Sequence, residues 1–159
     1  MTQRRQWRRS VILGGLAVFA VAGCASTETP PKMSSADAIA QRQRLMKLHG
    51  ALWRDAQDKA KAGQFEAIAV DAEAMAYIAP QIPELFPEGS LSDKSAAKPE
   101  IWQKRSEFDA AAKNFQVQSE KLRDAARSKD ANATQAVMRE FGKNACGSCH
   151  TPFRVPPKS

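Results

Sequence analysis

Residues 99–128, PEIWQKRSEFDAAAKNFQVQSEKLRDAARS, hold the pattern that decides the fold. Ile101, Phe108, Phe115 and Leu122 recur every seven residues with alanines beside them, which makes one face of a helix apolar along its length. Pro99 suits the first helical position, where its missing N–H is no loss, and Glu100 places a negative charge in the first turn. The pattern predicts a helix from Pro99 to about Ser128.

Downstream, Asp130 or Asn132 caps a further helix that carries Val137, Met138 and Phe141 and runs into Cys146-Gly147-Ser148-Cys149-His150. Upstream lies a stretch to Lys98 with Pro80, Pro83, Pro87 and Gly89 and no helical period. A connection of that length is unusual in a small domain, and Ile82, Leu85 and Phe86 give it side chains to pin it to a core. Before it, Phe65, Ile68, Ala72, Met75 and Ala79 recur at three- and four-residue steps, and Pro80 ends that helix. The first helix starts at Ser34, with Asp37 three residues on, and stops at Gly63. In it Ile39, Met46, Trp53 and Ala60 form the expected inward stripe. No segment reads as a strand. The expectation is an all-α antiparallel four-helix bundle over residues 35–159, with a long Pro-containing crossover between helices 2 and 3. Alanines at inward positions leave room for something large and flat.

The motif Cys146-Gly147-Ser148-Cys149-His150 says what that could be. C-x-x-C-H is the attachment motif of a c-type haem. Two thiols three positions apart on a helical turn can each form a thioether with one haem vinyl group. The next residue, His150, can then reach the iron from the same side as its proximal ligand. A thiol redox pair and half of a zinc site compete with this reading. Zinc would need further cysteine or histidine ligands, of which only Cys24 and His49 remain, and a redox pair would want a βαβ context. One covalent haem c is the cofactor read here.

Arg4, Arg5, Arg8 and Arg9 precede an apolar run, Val11 to Ala22, too short for a comfortable membrane span of about 20 residues. Residues 1–23 read as a signal peptide. The run ends in Val21-Ala22-Gly23-Cys24, which resembles a bacterial lipobox and makes Cys24 the lipidated first residue of the mature chain. The alternative is an ordinary secretory signal with a stray cysteine. Arg8-Arg9 hints at twin-arginine export. The general secretory route suits a haem added after translocation better. Residues 24–34, with Pro30-Pro31, read as a tether. Removing residues 1–23 removes four arginines and no acids, so the formal charge falls from +7 to about +3. The basic character is therefore largely a targeting feature, and nothing supports nucleic-acid binding. The expected location is the periplasmic side of a bacterial membrane, lipid-anchored or otherwise soluble in the periplasm.

The chain resembles the class II c-type cytochromes: cytochrome c′ and its low-spin relatives of the c-556 type. The residues that carry this are Arg42-Gln43-Arg44-Leu45-Met46-Lys47, Ile82-Pro83-Glu84-Leu85-Phe86-Pro87, Pro99-Glu100-Ile101-Trp102 and Cys146 through Arg154. Class I cytochromes usually carry the motif near the N-terminus with a methionine ligand downstream. Here nine residues follow the motif and none is methionine. The resemblance implies that the first helix lays one side chain over the distal haem face. That side chain is non-ligating in cytochromes c′ and a methionine in the low-spin relatives, and the segment match puts Met46 there. Met46 also lies on the apolar stripe, where methionine is an ordinary core filler. His49 is the other candidate ligand, on a mainly surface-facing register where a solvated or partner-bonded imidazole is the plainer reading. Arg42 is either a haem-propionate contact or a solvated surface arginine. Arg154 matches an arginine near the haem edge, although Pro152 departs from the polar residue more common there. Trp102 packs beside the haem, beside the crossover, or only at the start of the third helix.

With His150 and Met46 on the iron, the expected function is electron transfer to redox protein partners, membrane-bound ones included. With Met46 off the iron, it is cytochrome c′-like binding of small gases such as NO or CO. No second constellation suggests an enzyme. Relatives often pair through their first two helices, so a homodimer is an open option.

Overall fold

The seven-residue repeat becomes the buried seam of the molecule: Ile101, Phe108, Phe115 and Leu122 are all buried, together with Ala112 and Ala126. The computed structural model describes residues 33–156. The signal-peptide and Cys24 readings, and all but the last two residues of the tether, lie outside them. Its helices are α1 (Ser35–Lys61), α2 (Ile68–Ile78), α3 (Gln81–Glu84), α4 (Glu100–Gln103), α5 (Arg105–Arg127), α6 (Ala131–Phe141) and α7 (Ser148–Phe153). A 3₁₀ turn, Phe65–Ala67, leads into α2, and a π-helical stretch, Gly142–Gly147, joins α6 to α7 without leaving helical backbone angles. α1, α2, α5 and the α6–α7 rod are the four helices of an all-α bundle. α5 packs on α2, α6 and α7, and α1 packs on α2. An antiparallel bridge between Ala97 and Arg154 is the β-type pairing among the described residues.

Local chemistry sets the helix ends. Ser34 Oγ accepts from the Asp37 N–H at 3.1 Å and donates to its carboxylate at 2.6 Å. α1 closes where the Gly63 and Gln64 amides bond back to Ala60 and Lys59, with Gly63 at φ +73° supplying the left-handed turn. Asp130 caps α6 by accepting from the Asn132 and Ala133 amides. Lys129, just before it, takes φ +61°, a conformation that a non-glycine residue adopts at a cost.

Two expectations need correction. The third helix is not continuous from Pro99, because it breaks at Lys104 (φ −123°, ψ 50°) into α4 and α5. Side chains on either side of the break reach for the crossover. The Trp102 indole N–H donates to the Pro87 carbonyl at 2.9 Å, and Arg105 donates to the carbonyls of Phe86 and Pro83 at 2.9 and 3.0 Å. Trp102 is thus a crossover anchor. The second correction is the inward face of α1. The buried residues are Ala38, Arg42, Leu45, His49 and Ala56, whereas Ile39, Met46, Trp53 and Ala60 sit half-buried beside them. Two polar residues occupy core positions, and a search for apolar period alone lands on the neighbouring stripe.

The crossover is pinned as its sequence suggested, by buried Ile82, Leu85 and Phe86. The larger hold on it comes from Arg42, only 3% exposed. Its Nη1 donates to Ser90 Oγ at 2.9 Å and to the Leu85 carbonyl at 3.4 Å. Its Nη2 donates to the Ser90 carbonyl and to Ser95 Oγ, both at 2.7 Å. The guanidinium also lies over the Phe86 ring, 4.7 Å from its centroid. A loop without helical period thereby gains the hydrogen bonds that its backbone lacks. Farther along, α1 and α2 are clamped by Lys59, which bridges Asp55 and the buried Asp71 at 2.7 Å each. Burial pushes the Asp71 carboxyl up from its usual range even against this lysine.

Candidate functional site

The π-helical stretch decides where the Cys-Gly-Ser-Cys-His motif points. Its wider turn holds a surplus residue, a device frequent at functional sites. α5 stabilises it: Asn114 Nδ2 donates to the Asn144 carbonyl at 2.6 Å and to Ser148 Oγ at 3.1 Å. Cys146, within it, and Cys149, just beyond it, are half-buried, unpaired thiols packed against the core. Burial raises both thiol pKa values, Cys149 to about 11 with the neighbouring Cys146 adding to the effect. A dithiol redox pair works through a lowered thiolate pKa, and these shifts run the other way. No three acidic, cysteine or histidine side chains among the described residues gather into a metal-binding group, so the zinc reading finds no further ligands.

Cys149 and His150 of the motif border two adjoining cavities. The larger, about 410 Å³, lies between the motif, α1 and the crossover, with Arg42, Lys47, Phe86, Phe108, Phe153 and Arg154 on its walls. The smaller, about 110 Å³, reaches inward past both cysteines to His49, Trp53, Met75, Ala112 and Phe115. Met46, Ile82, Cys149 and His150 line both. Aromatic contacts frame this space at each end. Phe86 and Phe153 set their rings against Phe108 at 4.8 and 5.4 Å, while Phe141 stacks on Trp53 at 4.6 Å and meets Phe115 at 6.2 Å. The walls are mostly apolar, with two thiols and an imidazole on one side and a thioether on another. That donor set and shape fit a flat, largely apolar group held by sulfur and nitrogen.

The sequence-predicted residues fall as follows. Cys146, Cys149, His150, Met46, Arg42 and Arg154 all line this space. His150 keeps solvent access on α7, yet protein packed around it partly desolvates the ring, and this, with the Arg154 charge second, lowers its pKa. Arg42 is not a solvated surface arginine. Four crossover oxygens engage its two terminal nitrogens, which leaves Nε for any further acceptor. Pro152 sits inside α7 without breaking it. The helix ends one residue later, where the Arg154 amide bonds to the His150 carbonyl at 3.1 Å. The backbone beyond is tied to the crossover by Lys98 N–H to Phe153 O and Val155 N–H to Ala96 O.

His49 is the residue that sequence reasoning misplaced. It is 7% exposed, packs edge-on against Phe115 at 4.7 Å, and lines the inner cavity. Burial lowers its pKa to about 4, opposed by a backbone hydrogen bond at Met75 and aided by His150. The available signal was the spacing Leu45, His49, Ala56, a helical face that includes a polar residue.

A family model described as Cytochrome C′ matches residues 37–154. Cytochrome c-554 of Cereibacter sphaeroides is 39% identical over 75 residues, which are 45% of this chain and 48% of that protein. The matched stretch thus spans about half the length of that relative. A solved cytochrome c′ with an unusual ligand-controlled dimer dissociation superposes with a TM-score of 0.71 at 23% identity, covering 79% of this chain and all of that one. The nitric oxide complex of a variant cytochrome c prime from Alcaligenes xylosoxidans does so at 0.69 and 22%, with coverage of 79% and 100%. At such identities these two likenesses speak for the fold.

Proposed function

The chain belongs to the cytochrome c′ family and carries one covalently attached haem c, and from that premise we propose that it is a monohaem electron carrier. In this reading Cys146 and Cys149 would be the thioether anchors, His150 would be the proximal iron ligand and Met46 the distal one. The haem would supply one-electron chemistry at its iron. A thioether ligand in place of a second imidazole would favour the ferrous state and raise the potential. The observation that supports the distal assignment is that Met46, on α1, is common to both cavities along with Cys149 and His150 of the motif.

The chain's own residues would do three things. The π stretch and Asn114 hold the motif at a fixed angle to the cavity. The crossover, anchored by Arg42 and Trp102, closes one side against water. Arg42 through Nε, and Arg154 at the mouth, offer positive charge to the haem propionates. In keeping with this, residues 1–23 would be removed as a signal peptide. Cys24 would carry a lipid that holds the 35–159 domain near membrane redox partners on the periplasmic side, raising effective concentration there. Labelling with a fatty acid, lost on Cys24→Ala, tests the anchor. A second copy of the chain remains a candidate partner, given a likeness to a solved structure known for dimer dissociation.

The decisive experiment is on the distal ligand. Met46→Ala in the holo-protein is expected to abolish the shifted methionine-methyl resonance of the ferrous form and to lower the reduction potential. If the wild type is already high-spin, binds carbon monoxide rapidly and is unchanged by Met46→Ala, the carrier reading fails and gas binding takes its place. A likeness to a nitric oxide complex favours that as the second reading.

A further inference from the structure

One polar atom deep in the inner cavity is unexplained by this assignment. His49 Nε2 is buried and has no hydrogen-bond partner. An unsatisfied buried polar atom costs about 1–3 kcal/mol, and native structures seldom keep one without a use. A bridging water is a poor answer. Such a water needs two to four polar partners, and apart from Cys146, Cys149 and His150, which the haem would engage, the walls around His49 include Met46, Trp53, Met75, Ile82, Ala112 and Phe115.

The ring is held in place rather than free to turn. Its edge-on contact with Phe115 fixes its plane, and Met75 of α2 lines the same cavity. A neutral imidazole carries its proton on one nitrogen, and with the proton on Nδ1 the unpartnered Nε2 presents an open lone pair. His49 also lies three residues after Met46, so the two share a face of α1 one turn apart. Both line the cavity that reaches Cys146, Cys149 and His150.

We propose that His49 is a reserve ligand for the iron, whose Nε2 takes the sixth position whenever the Met46 thioether leaves it. The proposal rests on Met46 being the distal ligand. The exchange breaks the bond from iron to Sδ and forms one from iron to Nε2, the proton stays on Nδ1, and no electron is transferred. Two events would free the position. Transfer of the iron's electron to a redox partner removes the ferrous state that thioether ligation favours, and a peroxide that passes one oxygen to the thioether of half-buried Met46, and is itself reduced to water or an alcohol, alters the ligand itself. In either case the site would stay six-coordinate and closed to small gases.

The test uses ferric holo-protein, read by absorption and electron paramagnetic resonance. Met46→Ala is expected to remain low-spin with a two-imidazole signature, and Met46→Ala/His49→Leu to lose that signal and turn high-spin. Added free imidazole should restore the low-spin signal in the double variant, which shows that it is folded and its site open. His49→Gln in place of Leu repeats the comparison with a polar side chain. A high-spin Met46→Ala protein, or one whose low-spin state survives loss of His49, overturns the proposal. His49→Leu alone separates this from the assignment beneath it, because the methionine-methyl resonance should persist. If instead His49→Leu abolishes the low-spin state and Met46→Ala does not, the Met46 assignment is wrong and the reserve role falls with it.

Discussion

α1 and α5 are the two long helices of the bundle, and they face the core with different materials. α5 turns Phe108, Phe115 and Leu122 inward, continuing Ile101 of α4, and the polar residue buried among them, Ser119, bonds back to the Phe115 carbonyl. α1 turns inward a guanidinium, an imidazole, one leucine and two alanines. α5 is a packing element whose contribution scales with apolar area. α1 is a service element: Arg42 organises the crossover, Met46 and His49 border the inner cavity, and Lys59 ties it to α2. The same secondary structure thus stabilises by area in one helix and by placed polar contacts in the other.

Three substitutions probe that division. The largest effect should come from Phe108→Ala in α5, which empties a fully buried position where three aromatic rings meet and should destabilise by about 3–5 kcal/mol in urea denaturation of the holo-protein. A cost under about 1 kcal/mol would break the claim that α5 stabilises by area. Next, Arg42→Met keeps the length and removes the charge, leaving Ser90 and Ser95 without their donor. A loss of about 2–3 kcal/mol is expected, with faster proteolysis confined to residues 85–98. Uniform loosening of the whole bundle would instead make Arg42 an ordinary packing residue. The smallest effect sharpens the comparison at α1's exposed end. Ser34→Ala removes only the cap and should cost about 1 kcal/mol, read as a lowered Tm with the haem spectrum unchanged.

The same contrast explains what the sequence disclosed. α5, α2 and both caps were legible because their instructions are local: a seven-residue apolar period, a Pro, a Ser or Asp at the right place. The covalent motif was legible for the same reason. α1 was misread by one stripe because Arg42 and His49 are inward residues whose partners lie more than twenty positions away. No local pattern announces that an arginine will be buried against Ser90 and Ser95. The break at Lys104 was hidden likewise, since its cause is the pull of Pro83, Phe86 and Pro87 on Arg105 and Trp102.

The π-helical stretch has a consequence for how this site tolerates change in chain length. Each α-helical residue turns the chain by about 100°, and the wider π turn between 142 and 147 absorbs one extra residue within a single revolution; were the stretch to tighten to regular α-helix with all its residues in place, everything after it would swing by roughly that angle. Cys149, His150 and Phe153 would keep their identities and their spacing from one another yet face a different quadrant. The aim of the motif is therefore recorded as a count of residues rather than in any one side chain. In this helix a single-codon insertion before the motif, which would add a second surplus residue, is expected to do more harm than most substitutions beside it.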